Sequence, residues 1–195
     1  LSGVLHVLYY VVLLRGYRKA DLTVVYPLAR GTGPLVTALV AVTLLGERLS
    51  LTAVLGIAGV VAGVFLIAGG PGLLRAGRDE QARRLVRKGM QYGVLTGLFI
   101  ASYTVVDGYA VKVMLLSPIL VDYMGNFVRV LVLAPVALRK PAELAPLWAA
   151  QWRFALLVAA VSPVAYVLVL FAMQSAPLSH VAPAREVSML FAALL

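Results

Sequence analysis

Apolar residues fall in long blocks along this chain, with short charged breaks between them. Six blocks, Leu22–Leu45, Leu51–Gly69, Gly89–Ala110, Ile119–Leu138, Phe154–Met173 and Leu178–Leu195, approach or reach bilayer-spanning length, which takes about 20 residues of helix. A seventh, Leu1–Leu14, is shorter. The pattern predicts an all-α fold, a polytopic transmembrane helix bundle with about seven spans in view.

Two stretches echo each other. Tyr17–Val40 and Ala172–Leu195 align without a gap, each carrying a proline and then an arginine inside its apolar run. The pairs are Pro27 with Arg30 and Pro183 with Arg185, and the arginines stand 155 residues apart (185 − 30). A span with its loop takes about 31 residues, so the spacing corresponds to about five spans. An odd number of spans reverses orientation, which predicts two inverted five-helix repeats of an expected ten helices. Residues 1–70 then form the C-terminal part of the first repeat, with about three spans; 71–88 form a basic linker; 89–195 hold about four spans of the second. The chain opens and closes inside apolar runs, so it is read as truncated at both ends. The same spacing expects a Gly-Glu-Arg-like turn 155 residues beyond Glu47, followed by one more span.

Composition sharpens this picture. The chain is 62% hydrophobic and 13% charged, well outside the range of soluble domains. Its net charge of +9 lies between the spans, where headgroups and the insertion machinery read it, so nucleic acid is excluded as a partner. The first, third and fifth connections carry twelve Lys and Arg residues, the second, fourth and sixth only Arg48 and Lys112. That bias places the odd-numbered connections in the cytoplasm. No cysteine is present, which removes disulfides and Cys-based metal or redox chemistry. The opening run has neither a basic start nor a clear cleavage site, against a signal peptide.

In the linker, Leu73, Leu74, Leu85 and Val86 suit a short basic helix on the membrane surface; the alternative is a solvated charged linker. Trp148 and Trp152 suit the headgroup belt, so Pro141–Trp152 is expected to lie flat before the sixth span. Gly59 with Gly63, and Gly89, Gly93, Gly97 with Ala101, recur every four residues. Such faces let helices approach closely, or line a cavity.

Ionisable residues inside apolar runs are costly and mark candidate chemistry. Arg30 sits between Tyr26-Pro27 and Gly31-Thr32-Gly33-Pro34, where two prolines and two glycines predict a broken helix facing a cavity. Arg185, followed by Glu186, holds the echoed place. Asp107 and Arg129 flank the short connection near Leu116 at depths about 7.5 Å apart, so they form a candidate ion pair or proton-coupling pair. Tyr103 and Asn126 lie one turn away on the same faces. The candidate substrate-binding set is therefore Arg30, Arg185, Tyr26, Tyr103 and Asn126, and the candidate coupling or ion-pair set Asp107, Arg129 and Glu186. His6 and His180 have no ligand-spaced partners and receive no metal role. No nucleophile motif and no phosphate loop is evident, so no catalytic residue, metal or cofactor is assigned.

Pro27-Leu28-Ala29-Arg30-Gly31-Thr32-Gly33-Pro34-Leu35, then Leu44-Leu45-Gly46-Glu47-Arg48-Leu49, then Gly56 and Gly63 before the basic linker, resemble an EamA-type domain of the drug/metabolite transporter superfamily. Tyr103–Gly108 is similar to the opening helix of the second repeat in one branch. The resemblance runs along essentially the whole chain, as helices three to nine of ten. It implies a two-repeat secondary transporter of the inner membrane, working by alternating access on small metabolites. The family's usual topology has both termini cytoplasmic, which would put the twelve-charge face outside. Pro27, Pro34, Gly46, Glu47 and Arg48 are its structural motif, and Glu47 and Arg48 are expected to fix a turn rather than touch substrate. The function expected is export of small amphipathic metabolites; a seven-span sensor, receptor or other non-transport membrane protein is the alternative. An enzyme is not expected. The expected partners are a small-molecule substrate, the bilayer, a coupling proton and a second copy of the chain. The expected location is the bacterial inner membrane.

Overall fold

The computed structural model describes residues 1–67, 70, 80–139 and 141–188. Among these the protein is all-helical. The helices are α1 (Ser2–Lys19), α2 (Leu22–Leu45), α3 (Leu51–Ile67), α4 (Glu80–Lys112), α5 (Pro118–Leu138), α6 (Pro141–Ser175) and α7 (Leu178–Ala184), which runs into a 3₁₀ turn at Arg185–Val187. Four helices, α2, α4, α5 and α6, are long and apolar enough to cross a membrane. Much of their apolar surface is bare of protein; Leu157, Val158, Val161 and Val164 on α6 are all exposed. Such a surface is stable only against lipid tails, and the chain is an integral membrane protein.

α2 and α4 form the spine. A methyl added at Gly89, Gly93 or Gly97 of α4 would stand 3.1, 2.7 and 2.5 Å from the Cβ atoms of Val24, Leu28 and Thr32 on α2. The three contacts climb both helices one turn at a time, and only glycine lets the backbones come so close. This face therefore serves packing. The stripe on α3 differs: methyls at Gly56, Gly59 and Gly63 would meet nothing within 4 Å.

Three expectations about local structure need correction. First, α2 is not broken at Arg30; it is continuous through Pro27 and Pro34. Its glycines accept close neighbours, with a methyl at Gly31 falling 2.6 Å from Val64 and one at Gly33 2.8 Å from Ile100. Packing on both sides keeps the helix unbroken where proline and glycine alone would interrupt it. Second, Pro141–Trp152 is not a separate flat segment but the opening turns of α6, a single helix of 35 residues. Its first proline stands at the helix start, where the missing N–H costs nothing. Third, Leu85 and Val86 belong to α4, which runs without a break from Glu80 into the membrane span. Leu73, Leu74, Arg75 and Arg78 lie outside the described residues, as do Lys140 and the part of the Leu178–Leu195 run after Ser188.

One end of the bundle is tied by a polar knot. Gly46 terminates α2 in the left-handed conformation, φ 66°, and Glu47 N–H closes back on the Ala41 carbonyl at 3.1 Å. The Gly46 N–H converges on the same carbonyl, and a left-handed glycine at the helix end lets the chain turn back this way. The turn carries Glu47 to the start of α7, which has no side-chain cap of its own. There its carboxylate accepts from Leu178 N–H at 2.8 Å and Ser179 N–H at 3.1 Å. The Ser179 hydroxyl adds a bond of 2.9 Å, and Lys112 Nζ lies 3.3 Å away. Lys112 also donates to the Ala176 carbonyl at 3.2 Å. The second, fourth and sixth connections thus meet on one carboxylate. Burial raises the Glu47 pKa, but the hydrogen bonds from the Ser179 and Leu178 amides, the Ser179 hydroxyl and Lys112 together outweigh it and hold the carboxyl below its usual range. Beneath the knot lies the apolar core: Ala41, Val111, Leu170, Met173, Leu178 and Val181.

Candidate functional site

A cavity of about 110 Å³ lies among α1, α4, α5 and α6, lined by His6, Tyr9, Tyr10, Tyr103, Asp122, Asn126, Arg129, Ser162, Pro163 and Tyr166. Its wall is aromatic. The His6 ring stacks on Tyr103 with centroids 3.8 Å apart and meets Tyr166 edge-on at 5.5 Å. Tyr9 reaches the same cluster, 5.9 Å from Tyr103. His6, Tyr9 and Tyr10 share one face of α1 because three- and four-residue steps return to the same side of a helix. Ser2, one turn earlier, sits 3.3 Å from His6 Nδ1.

Two acidic residues serve this chamber. The Tyr166 hydroxyl donates to Asp107 Oδ2 at 2.6 Å. Asp122 accepts from Asn126 Nδ2 at 2.8 Å and lies 3.8 Å from Arg129 Nη2. The expected pairing of Asp107 with Arg129 is therefore corrected: each has another partner. Asp122 stands two turns before Arg129 on the same face of α5, so the arginine finds a carboxylate on its own helix. Tyr166, from α6, takes the Asp107 oxygen.

The echoed arginines have separate surroundings. Arg30 Nη1 lies 3.6 Å from Glu186 Oε2, and its guanidinium is 5.6 Å from the centre of the Tyr26 ring. Arg185 Nη2 reaches the Tyr103 hydroxyl at 3.5 Å. Through Arg30, Glu186 links α2 to the turn after α7. The 3₁₀ winding at Arg185–Val187 is tighter than the α-helix before it, a change often found at functional positions.

Of the candidate residues, Tyr103, Asn126 and Arg129 line the cavity, Arg185 and Asp107 adjoin it through Tyr103 and Tyr166, and Arg30, Tyr26 and Glu186 form a neighbouring cluster. The sequence reasoning missed His6, Tyr9, Tyr10, Asp122 and Tyr166. Asp122 was open to the rule that singled out Asp107, an acid inside an apolar run. The tyrosines carry no such signal, since aromatic residues are common on ordinary packing faces.

Residues 1–69 match the model of the EamA-like transporter family. No curated protein and no solved structure matches the chain. The match covers about a third of the chain, residues 1–69 of 195, and over that part the chain is similar to the EamA-like transporter family.

Proposed function

We propose that the protein is a secondary transporter that exports small amphipathic metabolites across the bacterial inner membrane by alternating access. The observation that carries this reading is the Arg30–Glu186 contact of 3.6 Å. It joins the two echoed helices inside a membrane bundle, where a charged pair is costly to keep without a task. Such a contact between repeat halves is one that alternating access would make and break.

In this reading the substrate enters the tyrosine-lined chamber. Tyr103 and Asn126 supply hydrogen bonds, Arg185 and Arg30 supply positive charge, and Tyr26 supports Arg30 from its ring face. Asp107 is the group best suited to carry a coupling proton, because its hydrogen-bond partner is a tyrosine and not a cation. Asp122 and Arg129 hold each other and give the chamber a polar floor.

The test is counterflow in proteoliposomes preloaded with a panel of amino acids, sugars, nucleobases and organic amines. Saturable exchange of at least one panel member, reduced in Arg185→Gln, supports the reading. Ion-channel currents, or no exchange with any member by a folded protein, would turn the assignment toward a sensor or channel.

A further inference from the structure

Outside the tyrosine chamber, a groove of about 360 Å³ runs between α3 and the end of α7, lined by Gly56, Gly59, Gly63, Val64, Ile67, Pro183 and Glu186 among others. Its walls are apolar except for one carboxylate. Glu186 is only 5% exposed, and neither of its oxygens has a hydrogen-bond partner. Arg30 compensates its charge from 3.6 Å, outside hydrogen-bond range. A buried carboxylate asks for donors, and glycine, valine, isoleucine and proline side chains have none.

We propose that Glu186 anchors a binding site for the protonated amine end of a small amphipathic amine, whose apolar body lies along the glycine stripe of α3. An ammonium offers three donors to the open oxygens. The missing side chains at Gly56, Gly59 and Gly63 supply the width, since added methyls would meet nothing within 4 Å. Arg30 does not block the site: its Nη1 stands 3.6 Å from Oε2, and its guanidinium is shared with the Tyr26 ring at 5.6 Å. An anion would meet Glu186 head-on and is disfavoured. As a transport site this rests on the transporter reading above; as a binding site it is read without any flux.

The experiment is a thermal-shift and calorimetric titration of the full chain in detergent with hexylammonium, hexan-1-ol and hexanoate, three probes with one tail. Hexylammonium is expected to bind saturably and to weaken about ten- to a hundred-fold in Glu186→Gln, the loss of one charge-assisted contact. Gly59→Leu fills the groove and keeps the carboxylate, and is expected to abolish hexylammonium binding even if Glu186→Gln fails to fold. Equal binding of all three probes, preference for hexanoate, or hexylammonium binding untouched in both variants would overturn the site. Amine binding by a protein that exchanges nothing in liposomes would leave the site standing and sink the transporter reading. Exchange of other metabolites with no amine binding would do the reverse.

Discussion

The carboxylate of Glu47 accepts both the amide and the hydroxyl of Ser179, at 3.1 and 2.9 Å, across 132 residues of chain. A residue at the end of one helix thereby does what an N-cap residue does for another. At the start of α2 the corresponding work is local: Asp21 caps the helix by accepting from Thr23 N–H at 2.9 Å. At the echoed position, 155 residues on, stands Ala176, which has no acceptor side chain. Glu47 fills that gap from a distance.

Glu47→Gln is expected to lower stability by about 1–3 kcal/mol, since it weakens several hydrogen bonds to a charged acceptor at once. Ser179→Ala should cost about 1 kcal/mol, because one hydroxyl is lost and the amide bond remains. Arg48→Ala, at an exposed position, should be near neutral. Melting temperatures in detergent rank the three, and a Glu47→Gln no worse than Arg48→Ala would remove the knot from the stability argument.

The same carboxylate sets a pH dependence. Its folded pKa lies below the ordinary value of 4.5, so its contribution is complete above that value. It is lost as pH falls through the lowered folded pKa. Acid titration of the melting temperature should show this limb in the wild type and a flatter one in Glu47→Gln.

Charge coupling in the membrane is expected to follow observed partners rather than proximity in sequence. Thermal double-variant cycles should be non-additive for Asp122→Asn with Arg129→Gln, and for Asp107→Asn with Tyr166→Phe. Asp107→Asn with Arg129→Gln should be close to additive. The opposite ranking would restore a direct Asp107–Arg129 pair.

Arg30→Ala should reduce exchange more than Arg48→Ala. It should also cost about 3 kcal/mol of stability, the low end for a broken buried pair because Arg30 is 29% exposed. Adding Glu186→Gln should restore much of the stability, since no charge is then left alone. A double variant less stable than Arg30→Ala would show that the pair is not the reason Glu186 is tolerated.

Topology can be read on this chain with single cysteines, because it has no native cysteine. A cysteine at Leu115, in the exposed fourth connection, should react with an impermeant thiol reagent applied to intact cells, and one at Arg139 should not. The reverse result would favour the family's usual topology over the charge count.

The span pattern was legible because apolar blocks of bilayer length leave few alternatives. The glycines of α4 were legible as a packing face for the same reason: their spacing of four is a property of one helix. The site was less so. Asp107, Arg30 and Arg185 stood out because charge in an apolar run is rare, yet their partners depend on which helix lies beside them. Tyr166 and Glu186 come from parts of the chain 59 and 156 residues away from Asp107 and Arg30 (166 − 107, 186 − 30). No local periodicity encodes that. Proline and glycine around Arg30 predicted a break, but the packing of Val64 and Ile100 against Gly31 and Gly33 decided for a continuous helix.

The knot at Glu47 also orders assembly in time. Leu178 follows Glu47 by 131 residues, so at about 5–20 residues per second the ribosome needs on the order of ten seconds to deliver it. Throughout that interval the turn after α2 is complete and its carboxylate is hydrated. The amides that satisfy it come into line only when α7 has formed and docked. Closing the knot therefore waits on α7, and a chain that stalls or misplaces a helix in between leaves an acidic turn bare on the membrane surface. That exposed charge distinguishes an unfinished molecule from a finished one.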